Sequence, residues 1–367
     1  MPPPTGTVIK LRALKGKYPF APRNLAMHTE DPDIHLLFKQ LESELDDPTN
    51  EPLQAACALG MIPVETVAAI RGADTQRFAR LMLERQTASM HAWLARIGAY
   101  HGWPQAEQAA FEFIATGSES GSAYLDNADG SFGFVMDHHV VAGFDLVAQD
   151  ALYALYNGRP AEEWVAPFAS FIAVFLYGAD DPGYSRTRLA LMRRNASLRG
   201  ITDMLAEGLW LFVSAHELAH IRLGHLAMGD QGKSTSIPVS GDFAKLPSEQ
   251  EFEADRWALE TLRGLDRDTI SGLLHQMAPA IYFSVACLKN AMFVPCLPAA
   301  VQQEGSHPPP EERLERLRYS KPRGPRHGNS PDLVDALITL PNYILAQLHD
   351  PGFQALAEHV RRRFGPR

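Results

Sequence analysis

The chain has 367 residues, enough for one large domain or two, and its 46% hydrophobic and 21% charged residues are ordinary for a soluble globular protein. A formal net charge of −9 argues against a general nucleic-acid binder. Three cysteines, Cys57, Cys287 and Cys296, form no CxxC pair; they read as buried thiols of a reducing cytoplasm and exclude a disulfide framework.

Residues 1–30 are Pro-rich and read as an irregular lead-in, with basic residues but no continuous apolar segment, which predicts no secretory signal. From Asp31 to about Trp103 apolar residues recur at spacings of three and four, in "DIHLLFKQLESEL", "VETVAAIRG" and "TQRFARLMLERQTASMHAWLARIGAYHG", so 31–114 is expected to be a helical N-terminal region. "ATGSESGSAYLDNADGS" (115–131) is the most loop-like segment and marks the internal boundary. "FGFVMDHHVVAGF" then predicts a β-strand, and "LVAQDALYALYNG" a helix ending at a glycine.

Helices are expected over 161–178 and about 185–229, with a turn-rich connection at 229–247 and a well-marked helix over 248–265. Helical patterns follow near 268–294, in "HPPPEERLERLRY" and in "PDLVDALITLPNYILAQLH", before a basic tail over 349–367. Two stretches test for a membrane span. Residues 164–178 are too few and contain Pro167, while 278–301 is interrupted by Lys289 and Asn290 and broken by Pro295 and Pro298. A span needs about 20 apolar residues, so both are read as buried helices.

The densest chemistry lies in "VSAHELAHIRLGHL" (213–226), where three histidines and an acid interrupt an apolar run. Ionisable groups in such a setting need partners, and a metal ion satisfies several at once. His216-Glu217-Leu218-Ala219-His220 is an HExxH: at about 100° per residue, positions four apart lie about 40° apart and one turn up, so both imidazoles can meet one ion with Glu217 close to a water on it. The bland alternative is two surface histidines and an exposed glutamate, but the preceding "MLAEGLWLFVSA" is apolar nearly all round, which makes the helix central. His225 falls nine residues beyond His216, about 180° around a continuing helix, and is given a structural role.

A third ligand is therefore sought downstream, in "EQEFEADRWAL". Glu251 and Asp255 lie four apart on one helical face, as a ligand and a partner orienting another ligand would. Ser248-x-x-Glu251 is also a capping-box spacing, and Glu253 is a rival ligand that points away from the face of Asp255, on the side of Trp257; Glu251 is the preferred choice.

HELAH, then EFEAD, then "SHPPPEERLERL" together resemble the gluzincin class of zinc metallopeptidases over about 201–320, a third of the chain. The similarity is greatest to the HtpX and CAAX-prenyl-protease type, with comparable motifs in soluble Lit-type and ImmA-type peptidases. The lack of convincing membrane helices sets the chain apart from the HtpX type and favours a cytosolic protein or peptide substrate. The resemblance implies a mostly α-helical α+β fold with a small β-sheet, 115–348 as the peptidase domain, and zinc held by His216, His220 and Glu251. It also implies Glu217 as general base, Asp255 orienting a ligand histidine, and His307 and Arg313 at the site. Three prolines after His307 would hold that segment extended, so that its imidazole or Arg313 assists a developing oxyanion; the alternative is a stiff surface loop.

A different class of function is a regulatory or sensing protein on a metallopeptidase fold with little or no proteolysis; an intact Glu217 speaks against it. "SFGFVMDHHVV" reads either as a core strand or as the strand that receives an extended substrate. His138 and His139, being adjacent, point to opposite faces of a strand and form no metal pair. "IPVETVAAIRGADTQRFARLM" loosely resembles a helix-turn-helix with Arg71, Arg77 and Arg80 but lacks a clearly basic recognition helix. Arg361 to Arg363 read as a solvated helix end.

Overall fold

The computed structural model describes parts of 39–58 and of 148–152, together with 64–114, 121–125, 131–137, 199–225, 248–265, 269–293, 295, 308–318 and 331–364. Among these residues helices dominate, joined by one small sheet, as the α+β expectation requires. The described residues up to Ala95 form one compact unit and those from Arg96 onward another. The expectations at 1–30, 161–178, 229–247, His138, His139, Cys296 and His307 lie outside the described residues.

In the first unit, helix α1 (Val64–Arg71) buries Ala69 and Ile70, and three residues separate it from α2 (Thr75–His101). Ala73 takes a positive φ of 48° between them, and Asp74 then caps α2 by accepting the Arg77 amide at 2.9 Å. Arg71, one of the arginines in the loose helix-turn-helix pattern, is paired with Asp46 at 2.8 Å.

The second unit holds the sheet. Strands β1 (Ala110–Ile114), β2 (Gly121–Leu125) and β3 (Phe132–Asp137) lie in the order β1-β3-β2, with β1 parallel and β2 antiparallel to the central β3. Two sequence expectations change here. Residues 110–114, expected within the helical N-terminal region, form a strand that pairs with β3, and the loop-like segment 115–131 contains β2. The Ser- and Gly-rich composition hid β2, because its pairing with β3 is a tertiary interaction that composition does not report.

Helix α3 (Arg199–Arg222) is the hub, packing on the sheet through β2 and β3 and on two later helices, α4 (Ser248–Leu265) and α5 (Ile270–Phe293). Its Leu205, Leu209, Phe212 and Leu218 are buried, each contributing about 1.5–3 kcal/mol of apolar burial. Gly208 sets the distance to α5: a Cβ there would lie 2.5 Å from the His275 Cα, closer than any side chain tolerates. Of the apolar stretch that begins at Ala278, the residues up to Phe293 form the second part of α5, with Ile281, Phe283 and Leu288 enclosed, and no helix among the described residues is long and apolar enough to cross a membrane.

Helices α6 (Pro310–Arg318), α7 (Pro331–Ala346) and α8 (Pro351–Phe364) complete the unit against α5. The expected basic tail is thus a packed element. Asp350 caps α8 by accepting the amides of Gly352 and Phe353, and Phe353 and Ala357 are buried. Arg361 and Arg362 pair with Glu358 on the exposed side.

Candidate metal centre

His216, Glu217 and His220 sit on adjoining turns of α3, and all three are buried. The two imidazoles meet edge to face with centroids 4.7 Å apart, and their Nε2 atoms are separated by 3.1 Å. From α4, Glu251 brings Oε2 to 3.3 Å from His216 Nε2 and Oε1 to 3.6 Å from His220 Nε2. An ion held tetrahedrally at about 2.0–2.1 Å separates its ligand atoms by about 3.3–3.4 Å, so the imidazole pair and the nearer carboxylate oxygen are spaced close to the edges of such a site. Among the described residues, no other trio of His, Cys, Asp or Glu gathers in this way. The trio can hold a metal ion.

The rival placements resolve with it. The Glu251 carboxylate is buried against the histidines although its position also suits a capping box. Glu253 points elsewhere, half exposed, with Oε2 3.2 Å from His225 Nε2.

Asp255 stands one turn beyond Glu251, with Oδ1 3.0 Å from His216 Nδ1. Arg313 grips the same carboxylate in a fork, donating from Nε to Oδ2 at 2.8 Å and from Nη2 to Oδ1 at 2.5 Å. Its guanidinium lies 4.6 Å from the ring centroid of Phe283, a cation–π contact from α5. The prolines place it: Pro309 accepts the amides of Glu312 and Arg313, so α6 starts with Arg313 in its first turn, facing Asp255. Arg316, one position further along the same helix face, pairs with Glu249 at 3.0 Å and fastens α6 to α4. Replacing Asp255 with Asn is expected to weaken metal binding about 10–100-fold, measured by competition with a chromogenic chelator.

Glu217 completes the arrangement. Its carboxylate, 5% exposed, accepts a hydrogen bond from the Ala123 backbone amide in β2. That contact puts an outer strand of the sheet beside the carboxylate. The role of receiving an extended ligand, considered for 131–141, does not suit β3 over Phe132–Asp137, because β1 and β2 pair with it on both sides. A strand can add only at an open edge, and among the described residues β2 is the strand at the edge near Glu217. Ala123 carries no sequence signal, since its contribution is a backbone group.

The electrostatics favour a positive charge at the centre. Burial alone would lower the His216 pKa, but hydrogen bonds to Asp255 and Glu251 outweigh it and push it up to about 9. Burial lifts Glu217 to about 7, with Glu251 adding to the shift and His216 opposing it. Burial acts against the charged form of Asp255 too, yet Arg313 holds it well below the usual carboxylate range. In the metal-free protein a proton on His216 thus stands in for a cation among three buried carboxyl groups. The sign follows from linkage: a raised histidine pKa stabilises the metal-free fold below about 6.5, and that stability is lost as pH rises through about 9. A metal must displace this proton. Zinc affinity is therefore expected to rise with pH up to about 9, with proton release at pH 7 seen by calorimetry in buffers of different ionisation enthalpy.

No family model, no curated protein and no solved structure matches the chain.

Proposed function

We propose that the chain is a zinc-dependent endopeptidase of the gluzincin class, acting on a cytosolic protein or peptide. The observation that carries this reading is the meeting of ligand atoms from His216, His220 and Glu251 within 4.8 Å, with the buried Glu217 carboxylate on the same helix turn. Two imidazole nitrogens and one carboxylate oxygen suit zinc better than calcium or magnesium, which favour oxygen shells, and three protein ligands leave a position open. Bound there, zinc would supply a Lewis acid and a water acidified to a pKa of about 7.

The chain's own residues supply the rest. Glu217 accepts the proton of the attacking water and returns it to the leaving amine. Asp255 accepts a hydrogen bond from the Nδ1–H of His216, which leaves Nε2 to face the ion, and Arg313 acts through Asp255 as a positioning residue. The outer edge of β2 would receive the substrate as an added strand, bringing a peptide bond past Glu217. His307, on the segment leading into α6, is assigned as a donor to the carbonyl oxygen as it gains negative charge.

The test is cleavage of a whole-cell protein digest substrate by the purified chain, with new amino termini identified by mass spectrometry. Termini are expected with zinc, absent with chelator, and restored when zinc is returned. Their absence at full zinc occupancy contradicts an endopeptidase.

A further inference from the structure

Helix α3 ends at Arg222 instead of continuing through His225, and this changes what His225 does. Gly224 has a φ of 77°, its amide donates to the Ile221 carbonyl at 3.2 Å, and the His225 amide donates to the His220 carbonyl at 2.8 Å. These two bonds with a left-handed glycine make a Schellman cap, which reverses the chain at once. His225 is thereby folded back onto the helix it has just left. Its Nδ1 lies 3.0 Å from His220 Nδ1, the rings meet at 62° with centroids 5.1 Å apart, and its side chain is 5% exposed. The far nitrogen, Nε2, lies 3.2 Å from Glu253 Oε2 on α4.

We infer that His225, turned back by Gly224 and held by Glu253, is the positioning residue for the metal ligand His220, as Asp255 is for His216. The proton assignment follows from the chemistry of the groups in order. A carboxylate only accepts, so His225 Nε2 donates to Glu253. The neutral imidazole then has an acceptor at Nδ1, and His220 Nδ1 donates to it. His220 is left with its Nε2 lone pair facing His216 and Glu251, the orientation a ligand needs. Each ligand histidine thus has its own orienting chain: Arg313–Asp255 on His216 and Glu253–His225 on His220. Both carboxylates come from α4, two residues apart, while Glu251 on that helix completes the trio. The spacing that made Glu253 a rival ligand instead places it over the cap.

This inference rests on the metal-centre reading, and two measurements separate them. The first is the tautomer of His220 in the metal-free protein, read from long-range proton–nitrogen NMR spectra of the imidazoles; the second is zinc affinity by chelator competition. Wild-type His220 is expected as the Nδ1–H tautomer. His225→Ala is expected to lose that preference and to bind zinc about 10–100-fold more weakly. His225→Asn, which can put an amide oxygen where Nδ1 was, is expected to recover most of the affinity. Gly224→Ala, strained at a φ of 77°, is expected to reproduce the loss without touching either ring. A wild-type protein that binds no zinc ends the metal reading, while the tautomer still decides the role of His225. An Nε2–H tautomer in wild type, unchanged zinc affinity in His225→Ala, or no recovery in His225→Asn would each overturn the inference.

Discussion

Glu217→Gln is expected to reduce peptide hydrolysis by about 10²–10⁴-fold while leaving zinc affinity and the folded structure intact. Glutamine keeps the shape of the side chain and can still accept the Ala123 amide through its carbonyl oxygen. What it cannot do is take a proton from water. The buried setting makes the substitution mild for the fold, since a neutral amide replaces a carboxyl group that burial already lifts to about 7. Turnover measured on a cleaved peptide, with zinc content determined on the same sample, checks this. Near wild-type rates in Glu217→Gln would remove the general base from the account, and with it the main argument against a sensing role on the same fold.

The second large effect belongs to Glu251. Glu251→Ala removes one of three ligands and leaves two imidazoles 3.1 Å apart with no carboxylate to complete the ligand set. Loss of an orienting partner costs about 10–100-fold in affinity, and loss of a direct ligand is expected to exceed that range. Glu253→Ala offers the contrast. Its half-exposed carboxylate acts on His225 alone, so zinc affinity is expected to stay within about tenfold of wild type. The opposite ranking of the two variants would exchange their roles.

The helices that carry this chemistry were readable because their patterns are local. The 3.6-residue periodicity and the acidic first turn mark α4 at Ser248–Leu265, the bounds expected for it. The HExxH and the Glu251–Asp255 spacing place His216 and His220 on one helix face and Glu251 and Asp255 on another by helix geometry alone. Non-local pairings were less accessible. The fork between Arg313 and Asp255 spans 58 residues, and sequence reasoning that placed Arg313 at the centre assigned it to a developing oxyanion rather than a carboxylate. β2 was missed because "GSAYL" has little alternation, and β1 because five residues after a 3₁₀ turn are too short for periodicity to separate from the helices before them. His225 was placed on the far side by extending the helix. One glycine made that wrong: "LGHL" contains the left-handed position that ends α3, and reading Gly224 as a C′ cap was the available signal.

The most direct measurement is anomalous diffraction at the zinc absorption edge from crystals of the full chain grown with equimolar zinc. The account predicts one strong peak per chain, about 2.0–2.2 Å from Nε2 of His216, Nε2 of His220 and a carboxylate oxygen of Glu251, with a non-protein ligand in the fourth position. No peak among these side chains, or a peak ligated by Glu253 or His225 in place of Glu251, would contradict it.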